Sequence, residues 1–274
     1  VAQDNAASVN AEPKPGTGGY TSTPPASTTP PITPSSYTVQ NSLAAGTYTV
    51  GAGGAYTTLT AAVAAYNTSC LGGAIVFSLI DATYPSETFP ITVNANADAS
   101  STNTLTIKPA IGVPPALSGD NVSGILRLNG ADYVTIDGSN AIAGTTKDLT
   151  ITNTDVAACV TVWLNSVDAG NGATHNTVKN CTIFGNDANT SLAALISSGM
   201  ILGAAAETAN TGNTYQNNTM SRAQYGIGVV GPATMETATV ITGNTIGSTL
   251  ATDKIGYIGM FLSNQQGILA NNNL

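Results

Sequence analysis

Val178-Lys179-Asn180-Cys181-Thr182-Ile183 states a phrase that returns three times: Tyr215-Gln216-Asn217-Asn218-Thr219-Met220, Ile241-Thr242-Gly243-Asn244-Thr245-Ile246 and Leu269-Ala270-Asn271-Asn272-Asn273-Leu274. The copies end at 183, 220, 246 and 274, so they lie 37, 26 and 28 residues apart. Self-similarity at periods of 20 to 50 residues marks a solenoid. Each phrase is too short and too polar for a helix. Its apolar residues sit where two brief strands would point them the same way on either side of a corner. A strand, a corner and a strand repeated once per turn describe a parallel β-helix, in which equivalent residues of neighbouring coils stack about 4.8 Å apart. Asn tolerates left-handed backbone at such a corner, and stacked amides hydrogen-bond from coil to coil. The expected corner ladder runs Cys181, Asn218, Asn244, Asn272.

Composition agrees with stacked coils. Charged residues make up 8% of the 274 residues, and the net charge is -8. A charge at a repeated position would lie against its like in the next coil, whereas Thr and Asn carry no such penalty. The acidic balance, without a basic patch, argues against nucleic-acid partners. No apolar run approaches the roughly 20 residues of a transmembrane helix. Three cysteines, Cys70, Cys159 and Cys181, show no metal-type spacing, and their odd number leaves at least one outside any disulfide. Buried thiols are the simpler reading, with one disulfide as the alternative. The chain begins Val1-Ala2-Gln3-Asp4. A processed, exported protein accounts for that start, and a trimmed chain is the alternative.

Residues 1–37 hold seven prolines, from Pro13 to Pro34, among Ser, Thr and Gly. They read as a linker or arm stiffened by polyproline geometry. Residues 38–274 form the β-helix domain, with a cap at 46–70 and coils over 71–274. In the cap, Leu59, Ala62, Val63 and Tyr66 fall at i, i+3, i+4 and i+7 behind Thr57-Thr58, which predicts a one-faced helix. Such a helix would cover the first coil, whose backbone edge and apolar interior are otherwise exposed. Six three-strand coils are expected. The first takes in Ile75–Leu79, Phe89–Val93 and Leu105–Ile107; later coils open at Gly124, Val160, Gly199, Gly226 and Gly259. The sixth ends on Leu274 with no polar cap after it, which raises self-association or continuation at that end as an expectation.

The run Tyr48-Thr49-Val50-Gly51 through Tyr56-Thr57-Thr58-Leu59-Thr60-Ala61-Ala62-Val63, the strand Gly72-Gly73-Ala74-Ile75-Val76-Phe77, and Gly130-Ala131-Asp132-Tyr133-Val134-Thr135-Ile136-Asp137-Gly138 resemble the opening of pectin-lyase-like right-handed parallel β-helix proteins. The resemblance covers about residues 46–274. It implies an all-β, right-handed solenoid of the kind found in large secreted surface proteins of the Bacteroidetes type, exported by the type IX system.

The same fold hosts polysaccharide lyases and galacturonan hydrolases. Such hydrolases share an Asn-Thr-Asp phrase, an Asp-Asp pair, a Gly-His-Gly and an Arg-x-Lys that set paired carboxylates about the glycosidic oxygen. Here only Asn153-Thr154-Asp155 matches. The one histidine, His175, stands in Ala173-Thr174-His175-Asn176, and no two acidic residues are adjacent. A lyase needs a base with calcium or Arg; the basic residues Lys108, Arg127, Lys147, Lys179, Arg222 and Lys254 are scattered over different coils. Arg222 and Tyr225 make the best local pair. No catalytic, metal or cofactor residues are assigned, and no cofactor is expected.

Alternation supplies a different candidate. If Leu126 and Leu128, Val162 and Leu164, Met200 and Leu202, and Met260 and Leu262 face inward, then Arg127, Trp163, Ile201 and Phe261 face outward, joined by Val229 in the fifth coil. That stripe would mark a contact surface for glycans or other surface proteins. Loops over it, or a one-residue slip of register, would hide it. The expected function is a non-catalytic, secreted, structural or adhesive module that assembles into larger surface structures. A carbohydrate-active lyase, hydrolase or glycan binder is the alternative.

Overall fold

The computed structural model describes residues 41–274, of which Ser42–Leu274 form one unit. The Pro-rich arm expected over 1–37 lies outside the described residues. Three parallel sheets build the unit, and from Leu105 onward the chain visits them in the same order on every turn. The first sheet has eight strands, from Gly46–Val50 and Ile75–Leu79 to Val240–Thr242 and Leu269–Asn271. The second has five, from Ala116–Gly119 to Thr245–Ile246, and the third has six, from Ile91–Asn94 to Ile255–Ser263. The fold is an all-β parallel solenoid with one α-helix. Eight strands in the first sheet bound seven turns rather than the expected six coils.

The missing turn comes from two strands that carry little apolar signal. Gly46–Val50 is the first strand of the first sheet, pairing with Ile75–Leu79, rather than part of the cap alone. Ala116–Gly119 starts the second sheet on Leu117 as its one buried apolar residue. Leu105–Pro109 accordingly opens a turn, where the sequence reading had it close one.

The interior is built from in-register columns. Phe77, Ile107, Ile136, Val178, Tyr215 and Ile241 stand one above another in the first sheet, each fully buried. Leu117, Ile151, Ile183, Met220 and Ile246 stack likewise in the second, all buried but the half-buried Ile246. The outward positions stack as Thr106, Thr135, Thr177 and Thr214, and as Thr150, Thr182, Thr219 and Thr245. Where charges meet in a column they alternate: Asp137 and Lys179 are partners in register and form a 3.3 Å ion pair. β-branched Thr suits a half-exposed pleat and brings no like-charge repulsion, which explains the low charge content.

The corner between the first two sheets carries the amide ladder. The backbone N–H of Cys181 donates to Asn218 Oδ1 at 3.0 Å, that of Asn218 to Asn244 Oδ1 at 3.0 Å, and that of Asn244 to Asn273 Oδ1 at 3.0 Å. Each Asn returns its Nδ2 to a carbonyl one coil earlier, Val178, Tyr215 and Ile241 in turn. The ladder member in the last coil is thus Asn273, not Asn272. Ala270, not Leu269, is the partner of Ile241, so the last phrase is displaced by one residue. Asn272 belongs instead to the left-handed column of the corner, with Asn180, Asn217 and Gly243. A second ladder at another corner links Val134, Asn176 and Asn213.

The helix, Leu59–Thr68, buries Leu59, Ala62, Val63 and Tyr66 as the spacing predicts, and Thr58 caps it through Ala61 N–H. It lies against Ile91–Asn94, the first strand of the third sheet. Asn67 substitutes for a further strand: its Nδ2 donates to Thr92 O at 2.8 Å and its Oδ1 accepts Asn94 N–H at 2.9 Å. Glu87 accepts Leu59 N–H at 2.6 Å and Thr60 N–H at 2.7 Å at the helix N-terminus, where the backbone donors are unsatisfied and a negative charge is favoured. The edge of the first coil is thereby closed by side chains as well as by the helix.

Candidate binding face

The expected contact stripe lies on the outer face of the third sheet, and register fixes its members. Thr92, Arg127, Trp163, Ile196, Gly228 and Phe261 are successive partners. Arg127, Trp163 and Phe261 hold the column the sequence reading gave them. Ile201 and Val229 do not. The fourth strand of this sheet is Ala193–Ser198, so Ile196 takes the place of Ile201, which sits 73% exposed in the following turn. Ala193–Ser198 is buried on both faces and shows no alternation, so the apolar cluster after it was mistaken for the strand. Val229 pairs with Leu262 and points into the core, fully buried. Its outward neighbour is Gly228, whose missing side chain left nothing apolar to mark the position.

Trp163 also departs from the expectation of an open stripe, because it is only 3% exposed. The Arg127 guanidinium lies 4.2 Å from the Trp163 ring centroid, and the indole Nε1–H donates to Ser198 Oγ at 2.9 Å. Arg127 Nε–H donates to Asn165 Oδ1 at 2.8 Å, and Asn165 and Asn129 continue an amide row to Asn94. Burial pulls the Arg127 guanidinium below its ordinary pKa, while the ring face beneath it favours the cation. Arg127 and Trp163 are therefore a packed pair on the sheet, and the accessible part of the face lies further along.

Gly228 adds no side chain to the column, Ile196 leans over it, and a cleft of about 220 Å³ opens beside them. Leu192, Ile196, Gly203 and Val230 line it together with the aromatic rings of Tyr225 and Phe261. Tyr225 meets Phe261 with ring centroids 5.8 Å apart at 62°, and Tyr257 at 5.6 Å and 81°. Tyr257 is 73% exposed and Phe261 41%. No charged side chain lines the cleft. The aromatic members come from two adjacent strands, Ala223–Val230 and Ile255–Ser263, so the backbone ladder fixes their spacing.

The carboxylates are engaged elsewhere. Of the thirteen that fall among the described residues (fifteen less Asp4 and Glu12), eleven accept a backbone N–H and so hold a turn, a helix end or a coil contact. Asp155, in the Asn-Thr-Asp phrase, accepts Ala157 N–H, and Asn153 ties Asn121 O to its own coil. His175 stacks on Tyr133 at 4.9 Å and 9°, in a column of left-handed residues. Arg222 turns from Tyr225 to Asp253 at 2.7 Å and to the Phe184 ring at 4.5 Å. Cys159 and Cys181 are buried thiols whose pKa values burial pushes up. Among the described residues no three His, Cys, Asp or Glu side chains gather as metal ligands would. Sequence reasoning missed Tyr225 as a wall, Tyr257 and Gly228; the recurrence of Gly226 and Gly259 at equivalent strand positions was the available signal.

No family model matches the chain, and no curated protein does either. Among solved structures it is similar to two crystal structures of the pectin methylesterase from Aspergillus niger, one of the deglycosylated and one of the penultimately deglycosylated form. Both are 12% identical over 85% of this chain and 78% of that one, with TM-scores of 0.35 and 0.47.

Proposed function

We propose that the solenoid is a non-catalytic binding module that holds neutral saccharide rings on the outer face of its third sheet. It thus joins the adhesive role expected from the sequence with the glycan-binding alternative. One observation carries this reading: the cleft at Gly228 is walled by Tyr225 and Phe261 and lined by no charged group, and the exposed ring of Tyr257 packs edge-on against Tyr225 beside it. Aromatic faces pack against the apolar C–H faces of a pyranose, and the tyrosine hydroxyls serve its rim. A cleft without Lys or Arg offers nothing to neutralise a uronate, which favours neutral sugars. Hydrolysis calls for two carboxyl groups flanking the scissile bond, and eleven of the thirteen carboxylates among the described residues are engaged by backbone amides. The stacked rungs give such a face stiffness, which suits display at a cell surface. No helix of the described residues is long and apolar enough to cross a membrane. The resemblance of about residues 46–274 to secreted modules of the Bacteroidetes type supports placing the protein outside the cell, with type IX export as the route.

The test is retention on insoluble neutral and uronic polysaccharides, with product release followed in the same tubes. Retention on the neutral polymer, with no new reducing ends, unsaturated product or methanol, is expected. Sustained product release would move the protein to the enzymes.

A further inference from the structure

Glu236 stands apart from the other carboxylates. It is fully buried, and it occupies a rung of an amide ladder. Ala173 N–H donates to Asn210 Oδ1 at 2.8 Å, Asn210 N–H donates to Glu236 Oε1 at 3.2 Å, and Gln265 Nε2–H donates to Glu236 Oε2 at 2.9 Å. Elsewhere on the solenoid such positions hold Asn, which accepts and donates without charge. The short strand Glu236–Thr237 pairs with Gln265–Gln266, so this carboxyl sits where the last two coils meet. Gly231 lies close behind it: a Cβ there would come within 3.0 Å of Glu236 Cγ.

The groups around it offer no counter-charge. From the first sheet comes Tyr215, whose own pKa is pushed up by burial and by the Glu236 charge. Asn210 and Gln265 face it from the neighbouring turns, and Thr239 Oγ1 donates to the Gln265 carbonyl at 3.0 Å. Glu207, near Asn210 in sequence, is held by Ser166 and Met200. Among the described residues no Lys, Arg or His bonds to Glu236; the two ion pairs there are Lys179 with Asp137 and Arg222 with Asp253. An ionised carboxylate at this position is a buried charge with two neutral donors and no cation, which is costly.

We propose that Glu236 is a proton-controlled latch: neutral, it keeps the Asn210 N–H on its carbonyl oxygen, gives its own O–H to the Gln265 amide turned oxygen-first, and closes the last coil on the one before it; ionised, it is a buried charge without a cation and loosens the 236–237 and 265–266 pairing. Desolvation raises its pKa from 4.5 to about 7. A group whose pKa is raised in the closed state stabilises that state fully below the ordinary value, and the stabilisation falls as pH rises through the raised one. The latch therefore weakens from pH 4.5 to about 7 and is level above that, a loss of roughly two orders of magnitude in the closing equilibrium. This inference does not depend on what the cleft binds.

Hydrogen exchange at 235–239 and 264–266, corrected for the intrinsic pH dependence, tests it in the whole chain and in Glu236→Gln. Protection in the unsubstituted protein is expected to fall about tenfold per pH unit between 5 and 7, and to stay constant in Glu236→Gln. Equal protection at pH 5 and 8 in the unsubstituted protein would overturn the latch. Should Glu236→Gln not fold, carbon-13 labelling of the four glutamates of the chain gives the answer directly. One carboxyl titrating near 7 supports the latch, and four titrating in the ordinary range refute it.

Discussion

The side-chain carbonyl of Asn244 accepts the backbone N–H of Asn218, one coil earlier, at 3.0 Å, while its amide donates to Tyr215 O at 2.9 Å. One side chain thus satisfies a buried donor and a buried acceptor that the turn of the corner leaves without strand partners. Asn244→Ala would orphan both, at about 1–3 kcal/mol each. A loss of about 3 kcal/mol in urea unfolding is expected. Asn272→Gly, at an exposed residue of left-handed φ 52° outside the ladder, should change stability by no more than about 0.5 kcal/mol.

Trp163 and Tyr257 separate packing from contact. Trp163→Ala removes a ring clamped between Arg127 and Ser198 and should cost about 3–5 kcal/mol. Tyr257→Ala, at a residue 73% exposed, should leave the melting temperature nearly unchanged. Thermal unfolding of the two variants side by side checks the assignment. Similar losses in both would mean that the face is organised differently.

Much of the architecture was legible because stacking imposes one rule on every coil. The Asn phrases reported the corner, and the i, i+3, i+4 spacing reported the helix. Failures cluster where the rule has no side chain to act on: Gly228, the single buried apolar residue of Ala116–Gly119, and the doubly buried Ala193–Ser198. The slip from Asn273 to Asn272 has the same origin, since three consecutive Asn residues fit the phrase in either register. The cleft was least legible, because its walls come from different coils and its floor is an absence.

The helical cap rests on Glu87. Its carboxylate takes the Leu59 and Thr60 N–H groups and the Thr60 hydroxyl at 2.6 Å, work that a capping residue within the helix ordinarily performs. Glu87→Ala should cost about 1–2 kcal/mol. Amide exchange at 59–62 should speed up well before that of the later coils. Uniform acceleration along the solenoid would show that the cap is not a separate unit.

Gly228 sets the depth of the cleft. A Cβ there would lie 2.9 Å from Ile196 Cγ1 and 3.1 Å from its Cδ1, so the buried Ile196 side chain must move to admit one. Gly228→Val should therefore cost about 1–3 kcal/mol by overpacking and should lose saccharide retention while still folded. Retention by a folded Gly228→Val would place binding elsewhere.

The central claim is that the uncharged aromatic cleft takes a neutral sugar ring. Equilibrium titration of the whole chain with matched neutral and uronic oligosaccharides, repeated for Tyr257→Ala, tests it most directly. The account predicts saturable binding of the neutral series alone, weakened about tenfold, roughly 1.4 kcal/mol, by Tyr257→Ala. Preference for the uronic series, or binding that Tyr257→Ala leaves unchanged, would contradict it.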